Sequence, residues 1–200
     1  ALVVATPGPS PGSNSGRADS SASGTLSLLE EDVDAETADL IRDAATRELD
    51  VAGDVPGLLS TFEEFYNVDI AQFDPEVAPA DWQLSITGEV GADRTLDFEE
   101  LTALPTERRF VTLRCVGESL NGKKCDTAVW TGTPLGPLLE EVDPEGECGC
   151  AMLRGADDYF VQVPVEALED AFLAWGMNGR PLPTSHGHPV RVLVPGHWGE

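Results

Sequence analysis

Four cysteines and three histidines are the side chains of this sequence best suited to soft-metal or nucleophilic chemistry. Cys148-Gly149-Cys150 and His186-Gly187-His188 are two-residue steps, while Cys115 and Cys125 stand apart. Four such ligands can hold zinc in a tetrahedron, but zinc sites use wider Cys-x-x-Cys spacing and nothing here repeats it. A cysteine nucleophile with a histidine base, such as Cys115 with His186, is chemically admissible. No protease signature surrounds either residue. Glycine-rich phosphate loops of the known kinds are absent from the sequence. Cys115 has Arg114 beside it, and an inward-facing guanidinium there favours the thiolate. The plainer reading of Cys115 is a buried, inert strand cysteine.

These residues must be carried by short elements. Leu26 to Leu49 has an apolar stripe (Leu28, Leu29, Val33, Leu40, Ile41, Ala44, Ala45, Leu49) that predicts a helix, broken by Gly53 and Pro56-Gly57. Trp82 to Gly88 alternates like a strand. Leu96 to Leu104 predicts a short helix with Asp97 as N-cap and Pro105 as the stop. Phe110 to Val116 reads as a strand and Pro134 to Val142 as a short helix. Ala151 to Arg154 and Tyr159 to Val163 flank the turn Gly155-Ala156-Asp157-Asp158 as strands. Val165 to Trp175 predicts a helix closed by Gly176, and Pro189 to Pro195 a final strand. Strands and short helices without a βαβ rhythm or an internal repeat make the fold class α+β. The organisation expected is a Pro/Gly/Ser-rich linker over 1–25, a helical lead segment over 26–60 and one domain over 61–200.

Two segments share one resemblance. Thr112-Leu113-Arg114-Cys115-Val116-Gly117-Glu118 is followed by Val129-Trp130-Thr131-Gly132-Thr133-Pro134-Leu135. Further on come Asn178-Gly179-Arg180-Pro181-Leu182 and His186-Gly187-His188-Pro189-Val190-Arg191. In this order they closely resemble the molybdopterin-binding domain of the sulfite oxidase family. That family includes sulfite oxidases, plant nitrate reductases and the bacterial periplasmic methionine-sulfoxide reductase catalytic subunit. Phe65 to Ile70 is similar to its entry segment, and the likeness runs from about Phe62 to Gly199.

The resemblance implies a mixed-sheet fold around a molybdenum–molybdopterin cofactor and two-electron oxygen-atom transfer on a small sulfur oxo substrate, of sulfite or sulfoxide type. It puts Cys115 at the molybdenum-ligating position, with Arg114 beside it. His186 and Arg191 fall where the pyranopterin and its phosphate are held, Asp157 near a further contact, and Tyr66 and Asn67 near the N-terminal contacts. Glu63 and Glu64 stand where the sulfoxide-reductase branch has amides, so Glu63 is expected to point away from a phosphate. Trp130 and Trp175 are expected in the core. The implied partners are a small oxo substrate and an electron carrier, either a haem membrane subunit or a small redox protein. The family's basic Lys-Trp segment does not follow Glu200, so a truncated C-terminus is expected. Cys125 is open to pairing with Cys148 or Cys150, or all three are free thiols. The competing class is a non-catalytic or zinc-stabilised module that keeps the fold without molybdenum.

Composition bounds these readings. The chain has 200 residues, 12 Lys+Arg against 36 Asp+Glu, and a net charge of −24. Such a surface argues against nucleic-acid binding. Lys123 and Lys124 are the only lysines in the sequence. Carboxylates at this density repel one another in dilute buffer and are eased by concentrated salt, the mark of a halophile. An acidic interaction surface is the alternative. Four cysteines in 200 residues are too few for a disulfide scaffold. The sequence begins at Ala1, and Leu2 to Ala5 is apolar. It is read as the end of a signal or membrane helix, which implies an extracytoplasmic or membrane-associated domain, or else as a frayed terminus.

Overall fold

The computed structural model describes residues 33–47, 58–68, 74–120 and 122–199, with the backbone of 2–4. Its centre is an antiparallel sheet in the order β10-β8-β5-β4, formed by β4 (Glu107–Arg114), β5 (Cys125–Pro134), β8 (Phe172–Met177) and β10 (Arg191–Leu193). The short β9 (Arg180–Pro181) pairs with β8. Strand β4 shows the alternation of a sheet edge: Val111 and Leu113 are buried, while Thr112 and Arg114 are exposed. The expected strand Phe110 to Val116 is thus shifted. It starts at Glu107 and ends at Arg114, one residue before Cys115.

The two inner strands are buried on both faces. In β8, Phe172, Leu173, Ala174 and Met177 are all fully buried. Phe172 and Ala174 join a cluster with Val111, Leu113, Trp130 and Leu193. Leu173 faces the other way, into a cluster with Leu84, Leu96, Leu135 and Leu168. This corrects the expected helix Val165 to Trp175. Only α4 (Val165–Leu168) is helical; 169–171 turn out of it, and from Phe172 the chain is sheet. A strand covered on both faces loses its polar alternation and reads as one apolar run.

Trp130 is fully buried, and its indole N–H donates to the Val111 carbonyl at 3.1 Å. Trp175 is partly buried against the Leu84 cluster. The helix expected over Leu26 to Leu49 is α1 (Ala35–Thr46), capped by Asp34, whose carboxylate accepts from the Thr37 N–H at 3.0 Å. Residues 26–32, 48 and 49 of that reading lie outside the described residues. Ile41 and Ala44 pack with Leu59 on Val129 of β5.

A second sheet, β1-β2-β3, joins Leu2–Val4, Gln83–Ile86 and Arg94–Asp97, with Leu2 opposite Ile86. The rest of the expected linker over 1–25 lies outside the described residues. Asp97 is the N-cap that the sequence leads one to expect; the helix it caps, α2, is Phe98–Thr102, and Glu100 completes a reciprocal capping box. The helix α3 spans Gly136–Val142, and β6 (Cys150–Arg154) pairs with β7 (Phe160–Pro164) as a hairpin. Cys148 is disulfide-bonded to Cys150, and Cys125 is an exposed free thiol, so no bridge joins Cys125 to either. No described helix is long and apolar enough to cross a membrane.

Candidate functional site

A cleft of about 630 Å³ opens between the end of β4, the turn after Phe65, the β6–β7 turn and the start of β10. Cys115 lies on its wall, one residue beyond β4, and is almost wholly buried. Its backbone stays in register, because its N–H donates to the Lys124 carbonyl at 2.9 Å. The thiol is therefore presented by the end of a rigid ladder.

The same parity removes Arg114. Leu113 and Cys115 point inward, so Arg114 faces out, and it is not among the residues that line the cleft. Its guanidinium sits 5.3 Å from the centre of the Trp198 ring. The expected role for Arg114 beside the cofactor is thus not supported by its position. Glu63 and Glu64 are also absent from the lining. Glu64 turns back to accept from the Thr61 N–H at 3.2 Å.

Tyr66 and Asn67 line the cleft. The backbone of Tyr66 is fixed from below by a carboxylate that sequence reasoning missed. Asp126 on β5 is 5% exposed and accepts from the Ser60 hydroxyl at 2.6 Å and the Tyr66 N–H at 2.8 Å. Charge-assisted bonds out of solvent are strong, and losing one acceptor strands a donor. Burial pushes the Tyr66 phenol up to about 12, against the opposing pull of Arg191. A second missed clamp is Asn178, fully buried, which accepts from the Val129 N–H and donates to the Ser60 carbonyl. The Asn-Gly of the sequence motif is thus a brace between β5 and the lead segment.

His186 and Arg191 meet. His186 is buried in a single helical turn, Thr184–His186, with Nε2 3.5 Å from the Phe62 carbonyl and its ring edge-on to Phe65. Burial holds its pKa below the usual histidine value, so the imidazole is neutral at pH 7. Gly187 sits at φ +94°, and a Cβ there would lie 2.9 Å from the Arg191 Cβ. Glycine lets the turn close over the arginine.

Arg191 stacks over Trp130 at 5.4 Å and donates to the His186 carbonyl at 3.2 Å. Its Nε is withdrawn from solvent, and among the described residues it has no hydrogen-bond partner and no carboxylate pairs with the guanidinium. Burial lowers its pKa, and the nearby Tyr66 phenol opposes that fall. A desolvated cation without a counter-ion is costly, and an anion in the cleft offsets the cost.

Asp157 also lines the cleft, but its Oδ1 is engaged by the Tyr159 N–H of its own turn at 3.0 Å. Arg154, which no motif singles out, comes to the same wall from the end of β6. The five residues Tyr66, Asn67, Cys115, His186 and Arg191 are thus brought together with Asp157, and Arg114 is not. Among the described residues no group of three or more His, Cys, Asp or Glu converges on a metal-sized site, so the zinc alternative has no ligand set there.

Residues 71–200 match the model of the oxidoreductase molybdopterin-binding domain. The chain belongs to that family. It is 31% identical over 165 residues to a protein-methionine-sulfoxide reductase catalytic subunit of Ralstonia nicotianae, covering 70% of this chain and 48% of the relative. It is 32% identical over 152 residues to the mitochondrial sulfite oxidase of Drosophila melanogaster, covering 62% and 26%. The crystal structure of the sulfane dehydrogenase SoxCD from Paracoccus pantotrophus superposes with a TM-score of 0.64 at 24% identity, over 72% of this chain and 41% of that one, a likeness of fold. The chain spans about half the length of the reductase subunit and about a quarter of the sulfite oxidase.

The cofactor of this family is molybdenum–molybdopterin, and the residues of the cleft fit it. A buried thiol on the wall suits a soft metal that binds thiolate. A guanidinium with a free buried Nε suits a phosphate. A neutral imidazole can both donate and accept beside a pterin.

Proposed function

We propose that this molybdopterin-binding domain is an oxidoreductase acting on a small sulfur oxo substrate, a sulfite or a sulfoxide. When bound, the cofactor supplies two-electron oxygen-atom transfer with water as oxygen source or sink. The observation that carries the reading is the convergence in one cleft of the Cys115 thiol and the Arg191 guanidinium, which has no carboxylate partner among the described residues.

In this reading the Cys115 thiolate holds the molybdenum. The hydrogen-bonded end of β4 fixes its direction, so little reorganisation is needed when metal enters. Arg191 takes the phosphate, and Trp130 behind it keeps the guanidinium plane in place. His186, held neutral by burial, offers one nitrogen to the pterin while Phe62 occupies the other. Tyr66 keeps its proton through the physiological range and can donate to an oxyanion without losing it. Asp126 positions Tyr66 by its backbone rather than by touching the cofactor. Electrons pass singly to or from a haem membrane subunit or a small redox protein, and the domain works outside the cytoplasm.

The test is the Cys115→Ser variant. Its circular dichroism and melting midpoint are expected to match the parent, since the swap is nearly isosteric. Turnover with an artificial electron mediator and the visible thiolate-to-molybdenum absorption are expected to vanish. Retention of rate and spectrum sinks the assignment. So does a purified parent protein that carries another metal in place of molybdenum.

A further inference from the structure

Cys148 and Cys150 are bonded to each other across Gly149. We propose that this pair is a thiol–disulfide exchange site whose reductant is a dithiol. It lies where a turn runs into β6, of which Cys150 is the first residue, and takes no part in the cleft.

The bond is poorly placed to act as a staple. Its partners are separated by 2 in sequence. The constraint that a disulfide puts on an unfolded chain grows with the loop it closes, and here the loop is minimal. The turn is held by other means. The Gly149 N–H donates to the Gly146 carbonyl at 3.2 Å, and the Gly149 carbonyl accepts from the Val165 N–H at 2.9 Å. The Glu145 N–H reaches the Glu89 carbonyl at 2.9 Å, and Cys150 is paired in register with Pro164. Breaking the sulfur–sulfur bond therefore leaves the turn in place.

The bond is also open to attack. Cys148 is exposed and Cys150 partly buried. Gly149 has φ +54°, and no atom lies within 4 Å of where a Cβ would stand. Glycine removes the one side chain that would shield the bridge. A cavity of about 120 Å³ lined by Gly146, Gly149 and Cys150 lies alongside. Exposed disulfides are the ones that exchange with thiols, whereas structural ones resist.

The asymmetry of exposure gives the reaction a direction. A thiolate of the dithiol attacks Cys148 Sγ, the Cys148–Cys150 bond breaks, and the electron pair leaves on Cys150 Sγ, which takes a proton. The second thiol then attacks the reductant's own sulfur in the mixed disulfide. Cys148 Sγ leaves with that electron pair and takes the second proton. The dithiol ends as a disulfide, and the protein has gained two electrons and two protons. The released Cys148 thiol has the Cys150 carbonyl 3.8 Å away as an acceptor.

The experiment uses the full chain carrying Cys125→Ser, which removes the exposed free thiol. The protein is equilibrated with reduced and oxidised dithiothreitol in graded ratios, quenched by alkylation, and the Cys148–Cys150 peptide is weighed. The pair is expected to reach the same reduced fraction from either direction. Half-reduction is expected at a dithiol ratio at least about tenfold more oxidising than a buried structural disulfide requires. The melting midpoint is expected to move by less than about 2 °C on reduction. With glutathione disulfide as probe, Cys148 in Cys150→Ser is expected to react at least about tenfold faster than Cys150 in Cys148→Ser. A pair that is reduced only on unfolding overturns the proposal. So do a midpoint that falls by more than about 5 °C on reduction and equal rates in the two single variants.

Discussion

Arg191 and Arg180 lie on the same stretch of chain, yet only Arg191 lines the cleft; Arg180 lies over Phe62, 5.9 Å from the ring centre. A guanidinium that meets a phosphate there makes a charge-assisted contact of about 1.5–3 kcal/mol. Arg191→Ala is therefore expected to weaken cofactor retention by roughly ten- to a hundredfold, and Arg180→Ala by less than about twofold. Molybdenum and phosphate per chain after dialysis measure both, and equal losses would remove Arg191 from the phosphate. His186 gives a second prediction, with a sign that follows from burial. The unfolded imidazole titrates at the ordinary 6.5, while the fold holds it neutral to lower pH. Its contribution to stability is full above about pH 6.5 and is lost as pH falls below it toward the lowered folded value. In cofactor-free protein the melting midpoint is expected to drop more for the parent than for His186→Gln between about pH 7.5 and 5. Parallel curves would mean that the ring is solvated. The exclusion of Arg114 rests on equally local physics. Once Leu113 is inside a strand, its neighbour is outside, and the alternation around Cys115 already contains that answer.

At the scale of the elements, Gly132 shows why the Trp-x-Gly spacing exists. The register between β5 and β8 shifts at Thr131/Gly132, and a Cβ on Gly132 would stand 2.2 Å from the Leu173 carbonyl oxygen and 2.7 Å from the Ala174 Cα. Both obstacles are backbone of a buried strand, so neither can step aside. Gly132→Ala is expected to cost about 2–4 kcal/mol and lower the melting midpoint by roughly 5–15 °C. A loss below about 1 kcal/mol would show that the bulge is soft. The parts of the fold that the sequence announces are those decided locally. The Asp97 N-cap and the β6–β7 hairpin around Gly155 to Asp158 need no knowledge of the rest of the chain. The central strands are different. Phe172–Met177 is covered on both faces, so it lacks the period that separates a strand from a helix. Cys125–Pro134 was likewise visible as a motif but not as the ten-residue strand it forms. The candidate site followed the same division. Tyr66, Cys115 and the His186–Arg191 stretch come from three separate segments, and only the family resemblance joined them. Asp126 carries no sequence signal, and Asn178 shows in the motif but not as a buried clamp, because a short polar residue does not reveal that the fold will bury it.

Taken as a whole, the molecule carries a charge that its contacts cannot neutralise. Twelve cations face thirty-six carboxylates. Several of the cations are committed to pairs at the surface, such as Arg42–Asp39, Arg47–Asp43 and Arg109–Glu107. Two opposed effects of salt follow. Screening weakens those pairs, each worth about 0–1 kcal/mol when exposed. It also weakens repulsion among the carboxylates left over, and even with every cation paired the net charge of −24 leaves two unpaired carboxylates for each pair. The second effect therefore sets the sign, and stability is expected to rise with salt. The range in which it rises identifies the cause. The screening length falls from about 10 Å at 0.1 M to about 3 Å at 1 M, so most of the gain belongs below about 1 M KCl. A gain that begins only at several molar would come instead from stronger burial of apolar surface, which an uncharged excluded osmolyte also provides. Thermal melts across that range, with sucrose as the uncharged control, separate the two. A midpoint that stays flat or falls between about 0.1 and 1 M would mean that the acidic surface is already balanced, and the excess of carboxylates would then be better explained as a docking surface than as an adaptation to brine.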